Sequence, residues 1–225
     1  MVRVDKYHLP PTALMPNSPN PLLHYPGYFA EQKGLPRSLH QIFKDNGWET
    51  QWIYRYGPTQ RSHYHAGVHE CMVVLSGTAT IRFGVADLSE NMVENTWGTA
   101  REAGGVEISA RAGDVFVLPS GTAHKTFDTK PTRSFTLLTP GDGHLIPGED
   151  VGAALEETEQ RLEGFTMMGA YPAERRDWNT QRGGEDVGAY QRVWSVPKPA
   201  LDPVLGYSQE GVFGQWLDYS LSAKL

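Results

Sequence analysis

An all-β fold is what this sequence predicts, and three observations predict it. Short apolar or alternating runs recur along the chain, each bounded by Gly, Pro, Asn or Ser, as strands joined by turns require. Only one stretch, residues 151–162, reads convincingly as a helix. Two separated stretches, 57–77 and 113–128, carry His, Glu, Gly and Pro at spacings that tight turns between strands would demand.

Taken in order, residues 10–36 are too rich in Pro, Asn and Gly for a regular helix and suit an extended arm, with a short strand at 22–25. Residues 39–46 suggest a short helix stopped by Gly47, and 49–56 a strand leading into the first histidine stretch. Strands follow at 70–75 and 78–83, separated by Ser76-Gly77, then a polar loop at 87–104 and a strand at 106–110. Arg111-Ala112-Gly113-Asp114 is a turn, 115–118 a buried strand, and Pro119-Ser120-Gly121 a second turn. A strand at 134–138 precedes the turn-rich 141–148 and the helix at 151–162. Glu156, Glu157, Glu159 and Glu163 mark the solvated face of that helix, with Ala154, Leu155 and Leu162 on the covered side. Residues 165–170 form the last strand. The remainder, 171–225, is rich in Pro, Gly and aromatics, including Trp178, Trp194 and Trp216, and is expected to pack rather than remain disordered.

At 225 residues the chain is expected to be one domain with a sizeable core. Its net charge of −6, with no basic run, argues against a nucleic-acid partner. No window approaches the length of a membrane-spanning helix, and residues 1–9 lack the apolar core of a signal peptide. One cysteine, Cys71, and no N-glycosylation sequon fit a reducing, cytoplasmic location.

The two histidine stretches carry the chemistry. Gly57 is followed by five residues, His63-Tyr64-His65, four residues, Glu70, six residues and Gly77; Gly113 is followed by Pro119, Gly121, His124 and Asp128. On a strand His63 and His65 share one side and Tyr64 takes the other. Glu70 has the wrong parity to join them on an unbroken strand, so Ala66-Gly67-Val68 must turn and Glu70 must open a return strand. His124 then arrives from the opposite side. Three imidazoles and a carboxylate suit one divalent transition metal ion (Fe, Mn, Ni or Zn) rather than Ca or Mg, which prefer all-oxygen shells. Four protein ligands on a six-coordinate ion leave open positions for water, dioxygen or substrate. His69 is the competing ligand; strand parity turns it from Glu70, to a supporting or surface place. Cys71 also alternates away and reads as a small buried hydrophobe. Arg61 has the parity of His63 and is a candidate partner for a substrate carboxylate or enolate, the alternative being a solvent-facing arginine. Met72 and Val74 share the face of Glu70, as pocket lining or plain core.

These spacings are the two cupin motifs, with Asp128 where the pattern has Asn. The chain further resembles the YjlB-like single-domain cupins of bacteria and fungi. The resemblance is carried by Pro16-Asn17-Ser18-Pro19, Leu22-Leu23-His24-Tyr25, Asn46-Gly47-Trp48 and His63-Tyr64-His65 with His69-Glu70. It continues through residues 113–125, Gly169-Ala170-Tyr171-Pro172, Asp177-Trp178, Val196-Pro197-Lys198-Pro199 and Asp202-Pro203-Val204. It implies a cupin (RmlC-like) jelly-roll β-barrel over residues 49–170, an N-terminal arm at 1–48, a C-terminal tail at 171–225, and insertions near 87–104 and 140–163. His63, His65, Glu70 and His124 are the implied metal ligands, and a homodimer is the assembly suggested by analogy. The leading functional expectation is an oxidoreductase of dioxygenase type acting on a small organic molecule, with Glu70 able to serve as general base. Non-redox decarboxylation, isomerisation or hydrolysis at the same ion, and a non-catalytic metal- and ligand-binding role, remain alternatives. The 140–163 segment is expected either to border the mouth of the site or to decorate the surface. Asp177-Trp178 suggests no mechanism.

Overall fold

Antiparallel pairing dominates the chain, in a computed structural model that describes residues 2–174 and 179–220. Among them are β1 (Asp5–Tyr7), β2 (Leu22–Tyr25), β3 (Trp48–Arg55), β4 (Glu70–Ser76), β5 (Thr78–Phe83), β6 (Val106–Arg111), β7 (Val115–Leu118), β8 (His124–Lys130), β9 (Thr136–Leu137) and β10 (Thr166–Pro172). Seven strands form one sheet in the order β1-β2-β7-β4-β10-β3-β9, and three form a second, β6-β5-β8. All pairs are antiparallel. The two sheets face each other as a jelly-roll barrel, the fold class the sequence predicts. No helix of the described residues is long and apolar enough to cross a membrane.

Alternation along β4 sets the interior. Met72 and Val74 point between the sheets, packed with Leu22, Trp52, Ile81, Phe83, Phe116 and Met167. Cys71 and Val73 point outward, yet they are equally buried, in a second core with Tyr25, Leu39, Phe43, Val115, Leu155 and Trp216. The large sheet is therefore covered on both faces. Its outer cover comes from α1 (Leu35–Asp45), α3 (Val151–Glu159) and the tail with α5 (Val212–Gln215). That cover accounts for the aromatic content of the tail: the Trp216 indole donates to Pro21 O at 2.9 Å and is 2% exposed.

The helices correct two expectations. The longest is α1, eleven residues, and not α3, which stops after nine. Helix α1 begins four residues before the predicted start because Pro36 sits in its first turn, where a missing N–H is harmless. Leu35, Leu39 and Phe43 then recur one turn apart and face the sheet. The polar loop at 87–104 contains a short helix, α2 (Met92–Thr96), capped by the Asn91 side chain. Strand β9 is shorter than predicted, at two residues. The tail adds α4 (Tyr190–Trp194).

Two motif glycines have a visible steric cause. Gly77 has φ of 72°, and a Cβ there would lie 2.5 Å from Gly164 O. Gly121 has φ of 86°, and its Cβ would lie 2.7 Å from Val193 Cγ1, where the tail crosses the turn that carries His124. Asp128, also at positive φ (52°), sits in the left-handed region that Asn and Asp tolerate best, so the replacement of the motif's Asn is conservative. Its side chain is engaged by Lys130 at 3.1 Å, away from the histidines.

Candidate metal centre

The four proposed ligands come from three parts of the fold. His63 and His124 form an antiparallel bridge, His63 N to His124 O at 3.1 Å and His124 N to His63 O at 2.8 Å. Tyr64, between the two histidines, bridges to Gln181 of the tail at 3.0 and 2.9 Å. The His63-Tyr64-His65 segment thus lies between the start of β8 and the tail rather than in a long strand. Period-two alternation still holds: the Tyr64 ring turns away, fully buried, and its hydroxyl donates to Asp186 Oδ2 at 2.8 Å. The chain bends at Ala66-Gly67, and Glu70 opens β4 on the inward face.

The nitrogen donors of His63, His65 and His124 lie within 4.8 Å of one another. Glu70 Oε2 is 3.3 Å from His124 Nε2, and Oε1 is 3.7 Å from His65 Nε2. Backbone carbonyls fix the tautomers. His63 Nδ1 donates to Arg61 O at 3.2 Å, His65 Nδ1 to Asn179 O at 2.9 Å and His124 Nδ1 to Thr122 O at 3.3 Å. A carbonyl only accepts, so each Nδ1 carries a proton and Nε2 is the nitrogen of each ring left for the centre. Glu70 is 3% exposed, and its Oε2 is a buried oxygen with no hydrogen-bond donor. An orphaned buried carboxylate oxygen is costly unless a cation satisfies it. Three imidazole nitrogens within 4.8 Å of one another, with this oxygen 3.3 Å from one of them, fit a transition-metal ion.

Electrostatics point the same way. Burial, then the neighbouring His124 and His65, push His63 well below the usual imidazole range; burial also lowers His124. For Glu70, burial opposes ionisation, but His124, His65 and hydrogen bonds from His65 and Tyr171 outweigh it, so its carboxyl titrates below the ordinary range. Burial likewise opposes charge on His65, and the Glu70 carboxylate more than offsets it. The Tyr171 hydroxyl lies 3.4 Å from His65 Nε2.

His69 is buried and does not join the cluster. Its Nδ1 accepts from Ser120 N at 2.9 Å, its Nε2 donates to Pro197 O at 3.1 Å, and its ring packs on Trp216 at 5.0 Å. It braces the 119–121 turn against the tail. Lys125, on the face opposite His124, binds Asp87 at 2.9 and 3.1 Å, and Asp87 also accepts from Ser62 N at 3.0 Å. That pair ties the 87–104 loop to both histidine segments.

Above the histidines opens a cavity of about 460 Å³, with His63, His65, Glu70 and His124 in its wall. Trp52, Tyr54, Tyr56, Phe135 and Tyr171 supply an aromatic side; Gln60, Arg61, Thr180 and Arg182 supply polar groups. Met72 and Val74 are not among the lining residues. Both are 0% exposed in the barrel interior, because β4 runs from the cavity at Glu70 into the apolar core. The pocket reading of these two is therefore replaced by the core reading. Arg61 does line the cavity, but its guanidinium is engaged by Glu90. Of the 140–163 segment only Asp142, Gly143 and His144 border the cavity. Helix α3 lies against α1 on the outer side of the large sheet, with Leu155 fully buried and Glu156 paired to Arg37. Asp177-Trp178 falls outside the described residues.

The sequence reading missed the aromatic side, although a signal for it was present: Trp52, Tyr54 and Tyr56 alternate along β3 and its end, one face of a strand. Arg182 and Asn179 carried no such signal, since only the Tyr64–Gln181 bridge brings the tail over the histidines.

No family model matches the chain. The uncharacterized protein YjlB of Bacillus subtilis (strain 168) is 25% identical over 202 residues, covering 89% of each chain. Among solved structures, the QdtA 3,4-ketoisomerase of Thermoanaerobacterium thermosaccharolyticum overlaps 60% of this chain and 67% of its own, with 13% identity and a TM-score of 0.31. An oxalate oxidase bound to the substrate analogue glycolate overlaps 61% of this chain and 55% of its own, with 13% identity and a TM-score of 0.31. A deletion mutant of Bacillus subtilis oxalate decarboxylase overlaps 72% of this chain but only 28% of its own, with 11% identity and a TM-score of 0.31. Likeness of this degree assigns the chain no activity.

Proposed function

We propose, for a chain that is a cupin related along nearly its whole length to YjlB, a metal-dependent oxidoreductase of dioxygenase type acting on a small organic molecule. One observation carries this reading: three clustered imidazoles, with the Glu70 carboxylate beside two of them, stand in the wall of an open cavity rather than in a sealed core. A purely structural metal is usually closed off by its ligands, whereas a catalytic one keeps an accessible side. Fe, Mn, Ni and Zn all suit the donor set, and when bound such an ion supplies Lewis acidity and coordination positions for substrate.

The chain's own groups do the rest. The three imidazoles are held in orientation by backbone carbonyls. Glu70 balances charge at the centre and, with the Tyr171 hydroxyl beside it, gives a buried route for a proton to or from bound substrate. The aromatic side of the cavity excludes water and receives a planar substrate. The same Glu70–Tyr171 pair is the observation favouring the second reading, non-redox proton-transfer chemistry such as decarboxylation or isomerisation. Oxygen uptake by tag-free protein of measured metal content, against a panel of phenols, diketones and carboxylates, separates the two. Substrate-dependent uptake supports the first reading. Turnover without uptake rejects it in favour of the second, and no turnover with a chelation-resistant metal rejects both. The reading also places the protein in the cytoplasm, as a homodimer with no nucleic-acid partner.

A further inference from the structure

The wall of the cavity bears two polar groups that nothing in the metal centre uses. Arg182 lines the cavity, and its guanidinium has no carboxylate partner among the described residues; only its backbone N–H is engaged, by Glu185 Oε1 at 2.7 Å. Its neighbour Arg61 is already neutralised by Glu90, so Arg182 is the cation left to face the opening. Gln60 lines the same cavity, and its Nε2 is buried with no acceptor. A buried amide donor without a partner is unfavourable, and an anion oxygen would satisfy it. The same cavity is lined by Trp52, Tyr54, Tyr56 and Phe135, the last two rings 6.0 Å apart and Tyr54 stacked on Phe135 at 5.0 Å.

We propose that Arg182, delivered by the tail, and Gln60 form an anion subsite that selects small aromatic carboxylates, the carboxylate held by these two side chains and the ring against the aromatic side. The proposal rests on the reading of this cavity as a substrate site and narrows it to one chemical class. A planar guanidinium matches a carboxylate with two parallel hydrogen bonds, and a side-chain amide adds a third donor. The aromatic side rewards a flat unsaturated body over an aliphatic one. The inference also gives the tail a functional role: the Tyr64–Gln181 bridge that holds it across the histidines fixes where Arg182 emerges.

Calorimetric titration with benzoate, acetate and benzyl alcohol tests it, on the protein as purified and after chelation, with metal content measured in each sample. Benzoate is expected to bind more tightly than either of the others, because only it offers both features. Arg182→Gln should weaken benzoate about tenfold, the scale of one charge-assisted contact, and leave benzyl alcohol unchanged. Gln60→Ala should weaken benzoate by a smaller factor. Persistence of this pattern after chelation shows that the subsite, and not a metal–carboxylate bond, is responsible. The proposal is overturned if Arg182→Gln leaves benzoate affinity within twofold of wild type, or if benzoate binds no better than benzyl alcohol. Either result with metal still bound removes the subsite and leaves the metal centre standing, whereas absence of metal in every sample counts against the centre itself. A melting curve for each variant separates lost contacts from lost fold.

Discussion

Replacing Asp202 by Ala should unfasten the tail from the barrel, although Asp202 lies outside the cavity. Its side chain is fully buried and accepts four hydrogen bonds: from the Tyr25 hydroxyl at 2.5 Å, Val204 N at 2.9 Å, Leu205 N at 2.8 Å and Val212 N at 2.9 Å. These bonds join β2, the turn at 202–206 and the start of α5. Bonds to a charged acceptor are worth about 1.5–3 kcal/mol each, and donors left buried without partners lose more than the bond itself. Water entering the vacated space recovers part of this, so the expected loss is about 4 kcal/mol, in the range reported for broken buried networks. Tyr25→Phe removes one donor and leaves the three amides satisfied, so it should lose only about 1–2 kcal/mol. Urea unfolding followed by tryptophan fluorescence measures both, and hydrogen exchange at Val204, Leu205 and Val212 reports whether the tail opens alone. A loss under about 1 kcal/mol for Asp202→Ala, or equal losses for the two variants, would refute the latch.

Two other perturbations follow from the same geometry. Asp114 accepts from Gly27 N at 2.7 Å and Arg111 N at 3.0 Å; burial opposes its ionisation, but His24 and these amides hold it below the usual aspartate range. A depressed folded-state value contributes stability above the unfolded value near 3.8, lost as pH falls through the folded one, so Asp114→Asn should flatten acid destabilisation below about pH 4 while lowering stability at pH 7. Unchanged acid melting curves would contradict this. Gly169→Ala places a Cβ 2.2 Å from the Trp52 ring, which must move; ligand binding in the cavity should weaken and stability fall by about 1–3 kcal/mol, with metal content preserved.

The barrel was legible because its strands alternate or run apolar between unmistakable turns: the predicted bounds of β2, β5 and β7 coincide with the observed ones. Where local signals compete, sequence pattern and structure part. Pro36 has the look of an extended arm although a first helical turn accepts it, and the polar 92–96 segment gives no apolar period from which to read α2. The histidine cluster was legible because spacing puts His63 and His65 on one side of the chain and brings His124 to them from another strand. Met72 and Val74 were ambiguous, since parity fixes which way a side chain points but not how deep along the strand the cavity reaches. Arg182, Asn179 and Asp202 were beyond reach because each acts through a contact with residues more than a hundred positions away, set by the tail's path over the barrel.

Metal analysis of tag-free protein, wild type beside the double variant His63→Ala with His65→Ala, tests the metal centre most directly. The account predicts one first-row transition ion per wild-type chain, with metal–nitrogen distances of about 2.0–2.3 Å by X-ray absorption. It predicts no bound metal in the double variant, whose circular dichroism still shows a folded β-barrel, because two apolar cores rather than the ion hold the fold. Stoichiometric metal retained by the double variant would contradict it, as would a wild-type protein in which the ion is bound without histidine nitrogen.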